Sequence, residues 1–183
     1  MNLANKITIL RILLIPFFIA CLIYYSETRV YLRYIALAVF TLAILTDALD
    51  GGIARGFSQI TELGVMLDPI ADKILITSAF ISLSVINSIP EYVRIPAWVV
   101  IVVISRDVFI ILGTLVIYFI KGNIAVKPSW LGKFTTFTQM LAIWVILISF
   151  RYNEFFMYPA IFFTLLSGMD YIWRGSKQLN GSH

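Results

Sequence analysis

The chain is poor in the residues that usually announce chemistry. It has one cysteine, Cys21, one histidine, His183, and only 13% charged residues among 183. A single cysteine excludes an intramolecular disulfide and leaves the redox compartment unread. Cys21 closes "FFIAC", the outline of a lipoprotein cleavage site. Phe18 stands where leucine is expected there, and five further apolar segments follow, so a buried free thiol is the better reading. His183 belongs to the terminal Asn-Gly-Ser-His, which has the look of an expression scar, and it takes no role. There is no internal repeat and no low-complexity linker. The basic residues are scattered rather than clustered, which argues against nucleic acid as a partner.

What the chain has in excess is apolar surface. Hydrophobic residues make up 60% of it and the mean hydropathy is +0.92, which places it among membrane proteins. No segment outside the apolar runs is long enough to bury a core of its own. Because ~20 apolar residues cross a bilayer as a helix, segments near 7–25, 31–55, 62–87, 95–120, 133–150 and 154–173 read as six transmembrane helices. The expectation is an all-α polytopic membrane protein, a single domain over 1–183 with a tail from about 175. Turn-like or charged stretches separate the segments: "SETR", "GFSQIT", "NSIPEYVR", "KGNIAVKPSWLGK" and "RYNE". Pro16 is expected to kink the first helix, and "MNLANKITILRI" to begin at the interface.

An even number of spans puts both termini on one side. With both in the cytoplasm, that side carries Lys6, Arg11, Arg55, Lys121, Lys127, Lys133, Arg174 and Lys177, against Arg29, Arg33, Arg94 and Arg151 opposite. The excess supports cytoplasmic termini by the positive-inside rule.

Four carboxylates interrupt this pattern in "TDALDGGIARGFSQITELGVMLDPIADK". The purely apolar runs beside them, Ile35 to Leu45 and Ile74 to Ile86, are too short to span alone. Extending both segments to full length brings Asp47, Asp50, Asp68 and Asp72 into helices near the cytoplasmic boundary. Ionisable residues there are functional candidates by default. Asp47 and Asp50 are three apart, Asp68 and Asp72 four apart, so each pair shares a helix face. A turn through Gly56–Thr61 makes the two helices antiparallel neighbours, and the pairs can converge. Four close carboxylates stay ionised only with cations between them. Hard divalent ions, Mg²⁺ or Mn²⁺ in one or two copies, suit an all-oxygen donor set. Gly51, Gly52, Ala54 and Gly64 allow close approach of a helix or ligand.

Blander readings exist for each acid. Asp47 and Asp50 also suit residues that cap or terminate the second helix. Asp68 before Pro69 suits a helix start, and Asp72–Lys73 suits an ion pair. An EF-hand is excluded, because "DALDGG" lacks that loop's alternating ligands and its later glutamate.

Asp47-x-x-Asp50-Gly51-x-x-Ala54-Arg55, eight residues, then Gly64-x-x-x-Asp68-x-x-x-Asp72 resembles the defining motif of the CDP-alcohol phosphatidyltransferases, with every fixed position present. "NKITILRI" and "SWLGKFTTFTQM" are similar to bacterial phosphatidylglycerophosphate synthases, although Ala4 stands where those enzymes usually have proline. The resemblance implies six transmembrane helices in the bacterial inner membrane, a cytoplasm-facing site, a homodimer, and Mg²⁺ or Mn²⁺. It also implies that an acceptor alcohol attacks CDP-diacylglycerol and releases CMP. By the family pattern Asp47, Asp50, Asp68 and Asp72 hold metal, and Asp72 is also the general base. Asn5, Thr8, Asp47, Gly51, Ala54, Arg55 and Gly64 serve the nucleotide.

The acceptor is less plainly written. Arg106, within "VVISRDVFII", must face the protein interior. Its partner is either the phosphate of glycerol 3-phosphate or a buried acid such as Asp107. Lys127, Ser129 and Lys133 complete an anion site, or are ordinary loop-side residues. Arg106-Asp107 also resembles CMP-forming cardiolipin synthases, whose acceptor is phosphatidylglycerol. The sequence reading therefore favours transfer to glycerol 3-phosphate, with cardiolipin synthesis as runner-up. A cation- or proton-coupled transporter is the alternative of another class, disfavoured because the acids gather at one end.

Overall fold

Apolar stripes three and four residues apart, with few residues able to break a helix, leave helix packing as the way to cover this chain's backbone polar groups. The structure, a computed structural model, describes the backbone of residues 3–57, 62–121, 129–148 and 154–179. Side chains are described for 9–46, 71–91, 93–117, 119, 129–148 and 154–177. Among the described residues there are six α-helices, two short 3-10 turns and no strand. The helices are α1 Leu3–Ile23, α2 Tyr31–Phe57, α3 Glu62–Val85, α4 Ala97–Lys121, α5 Trp130–Ile148 and α6 Glu154–Leu179. Three are long and apolar enough to cross a membrane, over Ala97–Ile117, Trp130–Ile148 and Glu154–Lys177. The described apolar stretches of α1 and α2, Ile9–Ile23 and Tyr31–Thr46, are shorter.

Some helix ends run past the apolar segments that foretold them, while α1 and α3 stop two residues short, at Ile23 and Val85. α1 starts at Leu3 and continues through Pro16, and α6 reaches Leu179. α2 continues through Gly51 and Gly52 to Phe57, so Gly56 and Phe57 are helical rather than turn; 58–61 lie outside the described residues. The reason is physical: hydropathy marks what meets the apolar medium, whereas a helix stops only where its backbone bonding stops.

The chain forms two compact units, Met1–Ile95 with Ile143–Phe150, and Pro96–Ala142 with Arg151–His183. In the first, α1 packs on α2 and α3. Ile15, Phe18 and Leu22 of α1 are buried with Ala36, Phe40 and Ala43 of α2 and Leu75, Ile76 and Ala79 of α3. The Phe18 and Phe40 rings lie 5.8 Å apart, and the alanines let the backbones close in. At the end of α3 away from its aspartates, Arg94 is held by the carbonyls of Asn87 and Ile89, and Ile95 donates its N–H to Leu83.

The second unit is stitched by polar contacts. Thr135 Oγ1 of α5 donates to the Phe163 carbonyl of α6 at 2.9 Å, and Gln139 Nε2 donates to Thr164 Oγ1 at 3.0 Å. Thr114 of α4 and Tyr171 of α6 share a hydrogen bond of 2.8 Å. That bond needs Gly113, where an added Cβ would stand 2.7 Å from Tyr171 Cε1. Ile101, Phe109, Ile111, Leu112 and Phe119 of α4 are exposed, as suits a helix whose outer face meets lipid.

Two glycine substitutions should therefore differ in sign. Gly113→Ala must push the Tyr171 ring off Thr114, and the lost hydrogen bond and crowding outweigh the ~1 kcal/mol an alanine gains in a helix. At Gly175 the added Cβ meets only Ile117 Cδ1, at an ordinary 3.6 Å. Thermal unfolding in detergent should show a lower midpoint for Gly113→Ala and an unchanged or higher one for Gly175→Ala.

Candidate active site

The acidic motif lies on two unbroken stretches of helix. Asp47 and Asp50 fall well before the end of α2 at Phe57, and Asp68 falls six residues after the start of α3 at Glu62. None of the three is therefore a helix-end device, which removes the terminating and helix-starting readings. Their register is informative. Buried Ala36, Phe40 and Ala43 continue by the same three- and four-residue steps to 47 and 50. Asp72 precedes buried Leu75, Ile76 and Ala79 at the same spacing, with Asp68 one turn earlier. The acids thus sit where the interior stripes of α2 and α3 would run on.

Of the four carboxylates, only that of Asp72 lies among the described side chains; it is half-buried, beside the fully buried Ala71. The side chains of Asp47, Asp50 and Asp68 lie outside the described residues, as do those of Asn5, Thr8, Ala54 and Arg55 and the surroundings of Gly51 and Gly64. Lys127 lies outside them altogether. Among the described residues no group of three metal-ligating side chains occurs. The donor set itself fits a hard divalent cation: carboxylate oxygens only, paired at i,i+3 and i,i+4 on helices that continue interior stripes.

The first unit also contains a residue that the sequence counts among the charges of the cytoplasmic side. Arg11 is 1% exposed, the largest of the fully enclosed side chains, in the α1 stripe with Ile15, Phe18 and Leu22. Its spacing from those three residues is the signal that was available.

In the second unit, Arg106 of α4 is enclosed, with its side chain 9% exposed. Nη1 donates to Asp107 Oδ1 at 2.6 Å and Nη2 donates to Ser167 Oγ of α6. Nε has no hydrogen-bond partner among the described residues. Two glycines border the side chain. A Cβ at Gly132 of α5 would lie 3.5 Å from Arg106 Nη2, and one at Gly168 of α6 would lie 3.7 Å from its Cγ. Ser129 caps α5 by accepting the Gly132 N–H at 3.0 Å. The capped first turn of α5 stands beside the guanidinium.

Of the four residues expected around an acceptor phosphate, Arg106 and Ser129 therefore meet at Gly132. Lys133 is exposed, its Nζ 5.8 Å from the Trp130 ring centre. Asp107, named beforehand as the alternative partner of Arg106, does pair with it. Ser167 was missed, although a Ser-Gly pair inside an apolar helix, "LLSGMD", is the kind of interruption that marks a contact.

Comparison with known proteins agrees with this organisation. The family model for CDP-alcohol phosphatidyltransferase matches residues 1–166. A protein of Mycobacterium tuberculosis named probable phosphatidylglycerophosphate synthase is 35% identical over 98% of this chain and 84% of its own length. A CDP-diacylglycerol–glycerol-3-phosphate 3-phosphatidyltransferase of Bacillus subtilis is 33% identical over 100% of this chain and 99% of its own length. One of the same name from Haemophilus influenzae is 33% identical over 94% and 88%. With a motif complete at every fixed position and a match along nearly the whole chain, this protein belongs to the CDP-alcohol phosphatidyltransferase family.

Proposed function

We propose that the protein transfers the phosphatidyl group of CDP-diacylglycerol to glycerol 3-phosphate, giving phosphatidylglycerophosphate and CMP. The observation that carries this reading is the complete aspartate motif on the continuous helices α2 and α3, in a chain whose relatives bear that activity in their names. On this reading the chain is one domain of six spans in a bacterial inner membrane. Its termini and active site face the cytoplasm, and it works as a homodimer. One substrate carries two acyl chains and the other is water-soluble, so a site at the membrane boundary serves both.

Asp47, Asp50, Asp68 and Asp72 would hold Mg²⁺ or Mn²⁺. When bound, such an ion neutralises the donor diphosphate and stabilises the charge that builds on the departing CMP. Asn5, Thr8 and Arg55 bind the nucleotide, and Gly51, Ala54 and Gly64 leave room for it. The acceptor hydroxyl oxygen forms a bond to the lipid-side phosphorus as the bond from that phosphorus to the CMP oxygen breaks. The hydroxyl proton passes to Asp72, whose half-buried carboxylate suits a general base. Arg106 takes the acceptor phosphate, assisted by Ser129, Lys127 and Lys133. Support for this part comes from the first turn of α5 standing beside the enclosed Arg106 guanidinium, since helix N-termini favour anions.

Purified protein given CDP-diacylglycerol, Mg²⁺ and glycerol 3-phosphate should release CMP. Release with phosphatidylglycerol alone would move the assignment to cardiolipin synthesis, and no release with any acceptor would end the enzyme reading. Asp72→Asn should lower kcat by ~100-fold or more while keeping the wild-type unfolding midpoint. Near-normal turnover would remove the base role.

Arg106→Ala should raise KM for glycerol 3-phosphate ~10-fold or more, the scale of a charged hydrogen bond, and leave KM for the donor nearly unchanged. Ser167→Ala, which removes the group that holds Nη2 in place, should shift the same KM in the same direction by less. An unchanged acceptor KM in both would return Arg106 to a purely structural role.

A further inference from the structure

Arg11 is the most deeply enclosed charged residue among those described, and the transfer chemistry proposed above leaves it without a task. A guanidinium at 1% exposure is tolerable only with an anion close by, because removing the charge from water otherwise costs far more than packing returns. The register of the first unit says where that anion lies. α1 and α2 follow one another through residues 24–30 and pack together as antiparallel neighbours, with the Phe18 and Phe40 rings 5.8 Å apart. Seven residues back along α1 from Phe18 is Arg11; seven residues on along α2 from Phe40 is Asp47.

Seven residues are two turns, which return to nearly the same face after a rise of ~10.5 Å. The helices run in opposite directions, so both steps move the same way along the bundle. Ile15 and Ala43, between the two ends of this interval, are both buried, so the facing stripes continue unbroken along it. Arg11 and Asp47 therefore occupy the same level on facing stripes of α1 and α2.

We infer that Arg11 is the resident counter-charge of the acidic site, paired with Asp47. It is a positioning residue: it sets the α2 acids and limits their repulsion while no cation is bound. This rests on the reading of the four aspartates as a cation site. It has a consequence of its own, since Arg11 and the cation then share Asp47. Removing Arg11 makes the site more negative, less stable when empty and more responsive to Mg²⁺.

The test is a double-mutant cycle on the full chain in detergent, read as the thermal midpoint in EDTA and in saturating Mg²⁺. In EDTA, Arg11→Gln should lower the midpoint by about 6 °C or more, as breaking a buried pair does in a chain of this size. Adding Asp47→Asn should restore at least half of that loss, and Mg²⁺ should raise the midpoint of Arg11→Gln more than that of wild type. Additive shifts of the two substitutions, or equal Mg²⁺ shifts in Arg11→Gln and wild type, would overturn the counter-charge role. If Arg11→Gln yields no folded protein, recovery of folded protein in the double variant supports the pairing and failure of both overturns it. A wild type with no Mg²⁺ shift would remove the cation site itself, a separate result from an additive cycle.

Discussion

A charge carried on an apolar helix has little water to turn to, so each one must be met by another group of the protein or by a ligand. That requirement organises both units. Arg94, at the end of its unit away from the acids, is met by main-chain carbonyls that the turn after α3 leaves free. Arg106 is met by Asp107 and Ser167. Meeting a charge in this way needs close helices, and close helices need small residues. Hence Gly132 and Gly168 border Arg106, and Ala36, Ala43 and Ala79 line the seam of the first unit. The small residues follow from the charges, because a Leu at Gly132 would occupy the volume in which the guanidinium lies.

Two kinds of charged group carry the proposed chemistry. The four aspartates are carried by α2 and α3 of the first unit, and the enclosed guanidinium of Arg106 sits beside the start of α5 in the second. A transfer between two phosphorylated substrates needs both kinds of site. A site of acids recruits a cation and, through it, a diphosphate; a site of donors takes a phosphate directly.

Much of this was legible in the sequence because it is written as spacing. The six helices follow from apolar length, and the shared face of each aspartate pair follows from steps of three and four. What was not legible depended on contacts between distant segments. Helix ends were less legible: α1 begins at Leu3, before its apolar run, and α2 goes on past its segment to Phe57. Ser167 lies 61 residues from the guanidinium it meets, and no local pattern links them. Arg11 was counted among the cytoplasmic charges because a basic residue near a helix start usually is one. Its spacing from Ile15, Phe18 and Leu22 already placed it on the interior stripe, and its enclosure agrees.

On the proposed reading, the pairing of Arg106 with Asp107 bears directly on the choice of acceptor. A guanidinium with a carboxylate at 2.6 Å brings little net charge to an incoming phosphate. The remaining attraction must come from Nε and from the positive end of the α5 dipole. Each of these acts in proportion to the charge it meets. Glycerol 3-phosphate presents a phosphomonoester that is largely dianionic at neutral pH, whereas the phosphate of phosphatidylglycerol is a monoanionic diester. A site whose arginine is already half-spent discriminates by charge number rather than by the presence of phosphate. It favours the dianion, so the pairing of Arg106 with Asp107 is compatible with glycerol 3-phosphate as acceptor.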